Sequence, residues 1–202
     1  LKRIFPNNKN STELISLFKN TYLKSDCLSD ATRSFVHLLF RKYNLLIIDA
    51  NHKDLKNSFK DFLKKEVKDS SIKKSSLSTL KKLEKLDYKV QAHTRDVNLF
   101  YIEKNERKRI IKKRNHFLIE GSTNKLEQKH IVDAIENNPE KFSPNVLFRT
   151  MYQEYLLPNL CYIGGPAEIS YWLQLKKSFE SFKITFPILL NRNSVLLISS
   201  RQ

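Results

Sequence analysis

"LCYIGGPAEISYW", residues 160–172, is the stretch on which the reading of this chain turns. Only three glycines occur in 202 residues, and two of them, Gly164 and Gly165, stand side by side here. An apolar run of strand length precedes them. Pro166 follows, then a helical pattern carrying Glu168, Tyr171 and the single tryptophan, Trp172. Strand, Gly-Gly-Pro, helix is a βα junction, and open α/β sheets bind ligands at the C-terminal ends of their strands. Two glycines permit positive φ and let a ligand approach the backbone. Pro166 suits a first helical turn, where its missing N–H has no helical partner to lose. The free amides of that turn can hold an anion. The same pattern also serves as a bare tight connection, and it is neither a GxGxxG fingerprint nor a GxxxxGK[ST] loop.

Working outward, the pattern alternates between helix and strand. Asn10 and Glu13 have capping-box spacing before a helix over 11–23, with Leu14, Leu17 and Phe18 as its stripe. A second helix is expected over 29–43, facing inward with Phe35, Leu38 and Leu39. "NLLIID" (44–49) then reads as a buried parallel strand. Leu55, Phe59, Phe62 and Val67 predict one helix over 53–67, and the Ser/Lys-rich run 69–86 a linker followed by an amphipathic helix. Residues 88–120 alternate with a period of two, which predicts a small antiparallel sheet beginning at "YKVQAH" (88–93). Within it the basic run "KNERKRIIKKRN" (104–115) reads as a hairpin, with Ile110 and Ile111 packed and the cations outward. Ile131, Ala134 and Ile135 face inward from a helix over 126–137. Ser143-Pro144 opens the next helix, "FPILL" (186–190) and "SVLLIS" (194–199) are strands, and the whole is an α/β fold. The expected division is 1–68 and 123–202 as parts of a parallel core, with 69–122 as a linker helix and antiparallel insertion.

Composition sets limits. Hydrophobic content of 40% with 13 Phe excludes a disordered chain. No apolar run approaches the roughly 18 residues of a membrane span, and no apolar leader segment is seen at the start. The chain begins at Leu1 and ends soon after an apolar run, so an internal piece of a longer protein is expected. Cys27 and Cys161 form no metal pattern or disulfide framework; two buried small residues in a reducing, cytoplasmic setting are expected. The five histidines show no ligand spacing, so no metal site is expected. The formal charge is +16, from 37 basic and 21 acidic residues. Such an excess suits a polyanion, but a Lys-, Asn-, Ile- and Phe-rich composition from an AT-rich genome, with lysines on solvated helix faces, accounts for it without one. Nucleic acid is therefore the alternative partner, and its binding would weaken steeply with salt.

One more group stands out. Asn145, Arg149 and Gln153 recur every four residues, placing three polar side chains on one helix face just before the Gly-Gly strand. They are either a solvated face or a fork for carboxylates and amides.

The block 138–179, "NPEKFSPNVLFRTMYQEYLLPNLCYIGGPAEISYWLQLKKSF", followed by "FPILLNRNSVLL" (186–197), resembles the bacillithiol-biosynthesis cysteine-adding enzymes. The segments 31–56 and 88–111 resemble the same family in the same order. That resemblance implies a Rossmann-like core related to class I aminoacyl-tRNA synthetases, with insertions and a dimerising C-terminal coiled coil. It implies a ligase that joins cysteine to glucosaminyl malate, the last step to bacillithiol, with ATP or another nucleotide activating the carboxylate. The family's Thr-Gly-Gln-Gln turn and Glu-Asp-His-Asp motif would precede Leu1 and the coiled coil would follow Gln202, so this piece by itself is expected to be inactive. Thr150 and Asn191 stand where the family usually has proline. The resemblance raises Asn145, Arg149, Gln153, Gly164, Gly165, Pro166, Glu168, Tyr171, Trp172 and Arg192 as substrate-binding residues. The turn amides and Arg149 would receive carboxylate or phosphate oxygens, while Glu168 or Gln153 would orient an amine or hydroxyl.

Overall fold

Asn8, not Asn10, caps the first helix of the computed structural model, which describes residues 4–104 and 106–198. Asn8 is extended and its side chain accepts from Ser11 N at 2.9 Å, so the helix begins two residues earlier than the Asn10/Glu13 spacing suggests. The chain forms two compact units, Leu1–His52 and Lys53–Gln202. The boundary falls inside the stretch 1–68 expected as one piece of the core.

The first unit pairs α1 (Lys9–Tyr22) with α2 (Leu28–Phe40). Phe18 stacks on Tyr22 at 4.3 Å and meets Phe35 edge-on at 5.6 Å. Leu38 and Leu39 remain half exposed. "NLLIID" forms no strand, and Leu46 is 67% exposed. Among its described residues the first unit contains no strand for it to pair with, and apolar content alone does not make one. Cys27 is exposed rather than buried, because it precedes α2 with Sγ 3.2 Å from Asp30 Oδ2.

The second unit opens with two helices where periodicity predicts one, α3 (Lys53–Ser58) and α4 (Lys60–Asp69). The break falls at Phe59, which is fully buried and stacks on Phe62 at 4.7 Å and against Tyr152 at 4.9 Å. No linker follows. Ser70 takes a left-handed conformation (φ 51°), and α5 (Ser71–Lys85) starts at once. Within it the Ser75 and Ser76 hydroxyls turn back onto the carbonyls of Ser71 and Ile72.

The antiparallel sheet is present, in the order β3-β2-β1-β4, from β1 (Leu99–Glu103), β2 (Glu106–Lys112), β3 (Phe117–Ile119) and β4 (Phe142–Pro144). The basic run is the expected hairpin. Period two buries Ile110 and turns Ile111 half outward, so only one of the two isoleucines packs. Residues 88–93 form no strand. α6 (Gln128–Asn137) turns Ile131 and Ile135 into the core as expected. On its outer side Glu136 bonds Lys64 at 2.6 Å and also Lys60, tying α6 to α4; these lysines hold the Glu136 carboxyl down at about 2.

Ser143-Pro144 does not open a helix. Both lie in β4, an edge strand, where a residue without an N–H is tolerated. The helix that follows, α7 (Phe148–Leu156), is opened by Asn145, whose Oδ1 accepts from Leu147 N (3.1 Å) and Phe148 N (3.0 Å). Buried Glu154 closes its far end by accepting from Asn159 N and Nδ2, both at 3.0 Å. The chain then enters β5 (Cys161–Gly164), crosses through α8 (Pro166–Gln174) and α9 (Lys176–Phe182), and returns as β6 (Ile188–Asn191). β5 and β6 are parallel with Gly164 opposite Asn191, as a helical crossover requires. This two-stranded sheet is the parallel part of the α/β fold. Residues 194–198 form no strand, and Ser199 lies outside the described residues.

One polar knot lies within this core. Glu66 is fully buried and accepts from Ile72 N (3.0 Å), Asn98 N (3.2 Å) and Asn98 Nδ2 (2.8 Å). Asn98 Oδ1 in turn accepts from Asn145 Nδ2 at 2.8 Å. Burial pushes the Glu66 carboxyl up to about 7, against these hydrogen bonds, which pull it down. A carboxyl that holds its proton more tightly folded than unfolded stabilises the fold below its unfolded value, and loses that contribution as pH rises through the folded one. A displacement from 4.5 to about 7 carries about 3 kcal/mol. Glu66→Gln keeps the shape and does not titrate. Urea unfolding of both proteins from pH 4.5 to 8 should show the wild type losing about 3 kcal/mol relative to Glu66→Gln up to pH 7, then a constant difference. A constant difference throughout would mean that the carboxyl is not displaced.

Candidate functional site: a cationic corner at the end of a parallel strand

The two glycines of the opening stretch do not need positive φ. Among the described glycines only Gly121 has it, and Gly165 sits at φ −70°. What they provide is room. A Cβ on Gly164 would lie 2.7 Å from Tyr162 Cε1. A Cβ on Gly165 would lie 3.3 Å from Arg192 Cζ and Nη2. Each glycine therefore accommodates a particular side chain, an aromatic ring for one and a guanidinium for the other.

Strand pairing brings these partners in. Arg192 follows β6 directly, and its N–H donates to Gly164 O at 2.9 Å, which lays its side chain over Gly165. Tyr162 shares a strand face with Gly164, two residues on. Its ring stacks on the fully buried Trp172 at 4.3 Å, and its hydroxyl donates to Glu168 Oε1 at 3.3 Å. Glu168 Oε2 accepts from Gly165 N at 2.9 Å. Both oxygens of Glu168 are thus engaged by its own corner. The Gly165 amide bond above all, then Tyr162 and the nearby Arg149 and Arg192, hold its carboxyl below the ordinary value, so it is ionised at neutral pH.

Arg149, on α7, reaches the same place and donates through Nη2 to Tyr171 Oη at 3.3 Å. Burial is the main reason the Tyr162 and Tyr171 hydroxyls are pushed up. Among the described residues neither the Arg149 nor the Arg192 guanidinium enters an ion pair, so most of their N–H donors remain open. Two guanidinium charges against one clamped carboxylate leave the corner cationic.

The expected residues separate accordingly. Arg149, Gly164, Gly165, Pro166, Glu168, Tyr171 and Arg192 are brought together. Asn145 is spent on the cap of α7 and on Asn98. Gln153 Nε2 turns to Glu154 at 3.1 Å. Trp172 lies in the core beneath Tyr162. Nor are the turn amides free as expected, since Gly165 N is taken by Glu168 and Pro166 has none. Tyr162 was missed from sequence. Its signal was an aromatic two residues before a glycine on a strand, where the missing Cβ lies under the ring.

The arrangement defines an α/β protein with a cationic corner at the C-terminal end of a parallel strand. The chain belongs to the bacillithiol biosynthesis BshC family, matching the model of its N-terminal Rossmann-like domain over residues 1–193. It is 47% identical over 193 residues to a Flavobacterium johnsoniae protein named "Putative cysteine ligase BshC", with 96% of this chain and 36% of the relative covered. Relatives of the same name from Christiangramia forsetii and Staphylococcus carnosus are 42% and 31% identical, covering 96% and 86% of this chain and 36% and 33% of their own lengths. The chain thus spans about a third of these relatives. No helix among the described residues is long and apolar enough to cross a membrane.

The two glycines should differ in their tolerance of a methyl group. Gly164→Ala drives into a ring held by its stack on Trp172, and overpacking of that kind costs about 1–3 kcal/mol. Gly165→Ala meets only the end of a flexible side chain, and its cost should stay below about 1 kcal/mol. Denaturant midpoints of the two variants compare them directly; equal losses would show that Tyr162 is not held as described.

Proposed function

We propose that this chain is part of a carbon–nitrogen ligase of bacillithiol biosynthesis that joins cysteine to glucosaminyl malate, and that the β5–α8 corner holds a carboxylate of one of those substrates. The observation that carries the second part is the pair of open guanidinium groups beside a carboxylate already satisfied within its own corner. A guanidinium receives a carboxylate through two parallel N–H bonds, which fixes the plane of the bound group as well as its position. Tyr171, bonded to Arg149, presents a hydroxyl beside that plane. Glu168, engaged at both oxygens, serves to hold the turn rather than to orient an amine.

Amide formation requires an activated carboxylate, and activation by ATP or another nucleotide belongs to the proposal. The corner lacks the free loop amides that cradle phosphates, so no residue of this chain is assigned to the nucleotide. In the full-length protein, assembly as a homodimer belongs to the same reading.

Deletion of the gene in its source organism, followed by thiol analysis by mass spectrometry, tests the proposal. Bacillithiol should disappear and glucosaminyl malate accumulate. Reintroducing the full-length gene should restore the thiol, whereas Arg149→Ala with Arg192→Ala should restore less than a tenth of it. Bacillithiol persisting in the deletion strain would overturn the ligase reading. Full restoration by the double variant would overturn the role of the corner alone.

A further inference from the structure

The basic run on β2 takes no part in the Gly-Gly-Pro corner. Between Lys104 and Asn115 it holds seven cations and one acid. β2 lies between β3 and β1, so its cations are not needed to blunt an open sheet edge. Strand alternation divides them. Lys108, Ile110 and Lys112 share the inner face with buried Leu99 and Phe117, whereas Arg107, Arg109 and Ile111 share the outer face with Phe100 and Leu118. On that outer face Ile111 is 37% exposed. The Arg107 guanidinium lies over the Phe100 ring, 4.5 Å from its centroid, and donates to Pro144 O at 3.1 Å, which fixes its plane.

Beside this face a groove of about 390 Å³ opens between the far end of β2, residues 94–97 and the start of α5. Four cations line it, Lys73, Arg95, Arg109 and Lys112, against one acid, Asp96. Asp96 is taken by Lys73 at 2.8 Å. Glu120 lies 3.9 Å from the Arg109 guanidinium. Lys112 Nζ donates to the neutral Ser70 hydroxyl at 3.4 Å. Among the described residues neither Arg95 nor Lys112 enters an ion pair, and exposed Lys113 and Arg114 continue the run beyond the groove. The acids nearby are thus spent, and a surplus of positive charge converges on a concave surface with apolar side chains alongside.

We propose that the outer face of β2 and this groove form a docking surface for a single-stranded nucleic acid. Its phosphates follow the cations, and its bases lie against Ile111 and the Arg107 plane. Charge complementarity selects a polyanion, and a guanidinium meets a phosphate through two N–H bonds. The exposed planar group selects among polyanions. Unpaired bases stack on aromatic rings and guanidinium planes, whereas a duplex keeps its bases inside. An acidic polypeptide satisfies the cations but brings no regular series of flat rings to the stack. The proposal goes beyond the ligase reading and uses no residue of the corner, so either can fail alone.

Fluorescence anisotropy of a labelled oligothymidylate with the purified protein, over roughly 50–200 mM salt, provides the test. Four phosphates met by the groove's cations should give a slope of about −3 in log K against log salt, a loss of about fifty-fold across that range. Arg95→Glu with Arg109→Glu should weaken binding about tenfold or more and roughly halve the slope. Lys81→Glu with Lys129→Glu makes the same change of charge at exposed positions of α5 and α6, and should cost about threefold or less. Arg95→Glu alone, a change in an exposed loop, decides the matter if the first pair does not fold, since it should still cost more than that control pair. A duplex of the same length should bind about tenfold more weakly for want of stacked bases. Polyglutamate at equal charge should not displace the single strand. Absence of binding, equal loss in the control pair, equal affinity for the duplex, or displacement by polyglutamate would each overturn the proposal.

Discussion

The buried carboxylate of Glu66 is the constraint on which the larger unit is arranged. It sits on α4, yet its hydrogen bonds go to the first turn of α5 and to Asn98 just before β1. Asn98 passes the link to Asn145, which opens α7. Each of these points is a place where the chain starts an element and its N–H groups have no partner within that element. Leaving a buried donor unsatisfied costs about 1–3 kcal/mol, so an apolar residue at position 66 would fill the space and strand several N–H groups at once. The acid carries its own cost of burial, expressed in the raised proton affinity of Glu66. A single side chain thereby sets where two helices and a strand begin.

From this knot the position of the corner follows in steps. Asn145 fixes the first turn of α7, and Arg149 lies one turn further along. Phe148, Met151 and Tyr152 bury the opposite side of the helix. Phe59 packs against Phe148 and Tyr152, holding α7 on α4. Glu154 and Asn159 close the turn into β5, so the strand leaves α7 at a fixed angle. β5 then pairs with β6 and draws Arg192 to the glycines. Arg149 and Arg192 meet near Glu168 although they come from different elements, because both are carried there by packed backbone rather than by flexible loops.

Much of this was legible in the sequence, and the reasons it was or was not are physical. Amphipathic helices announce themselves through a period near four, which placed α1, α2 and α6 to within a few residues, whereas the single helix expected over 167–179 is two, α8 and α9, broken at Leu175. The βα junction was legible because glycine is rare in this chain. Strands were harder, since a strand needs a partner as well as a pattern. "NLLIID" has the composition of a buried strand and, among the described residues of its unit, no neighbour to pair with. Ser143-Pro144 looked like a helix start, because a cap and an edge strand favour the same residues. Asn145 and Gln153 shared a spacing with Arg149, but their partners Asn98 and Glu154 were set by tertiary contacts or an adjacent turn that spacing does not report. The serine-rich run read as a linker by composition, whereas its hydroxyls satisfy the helix's own carbonyls.

The corner shows how a rare residue can be misread when only its conformational freedom is considered. Gly164 and Gly165 are needed for what lies against them. With any Cβ at 164 the Tyr162 ring would have to leave Trp172, and its hydroxyl would leave Glu168. Glu168 would then keep only its bond to the Gly165 amide, and a freer carboxylate would be available to nearby Arg149 or Arg192. An ion pair of that kind would neutralise the very donors that leave the corner cationic. The absent side chain at 164 therefore acts on charge: by letting Tyr162 occupy Glu168, it keeps the guanidinium groups open.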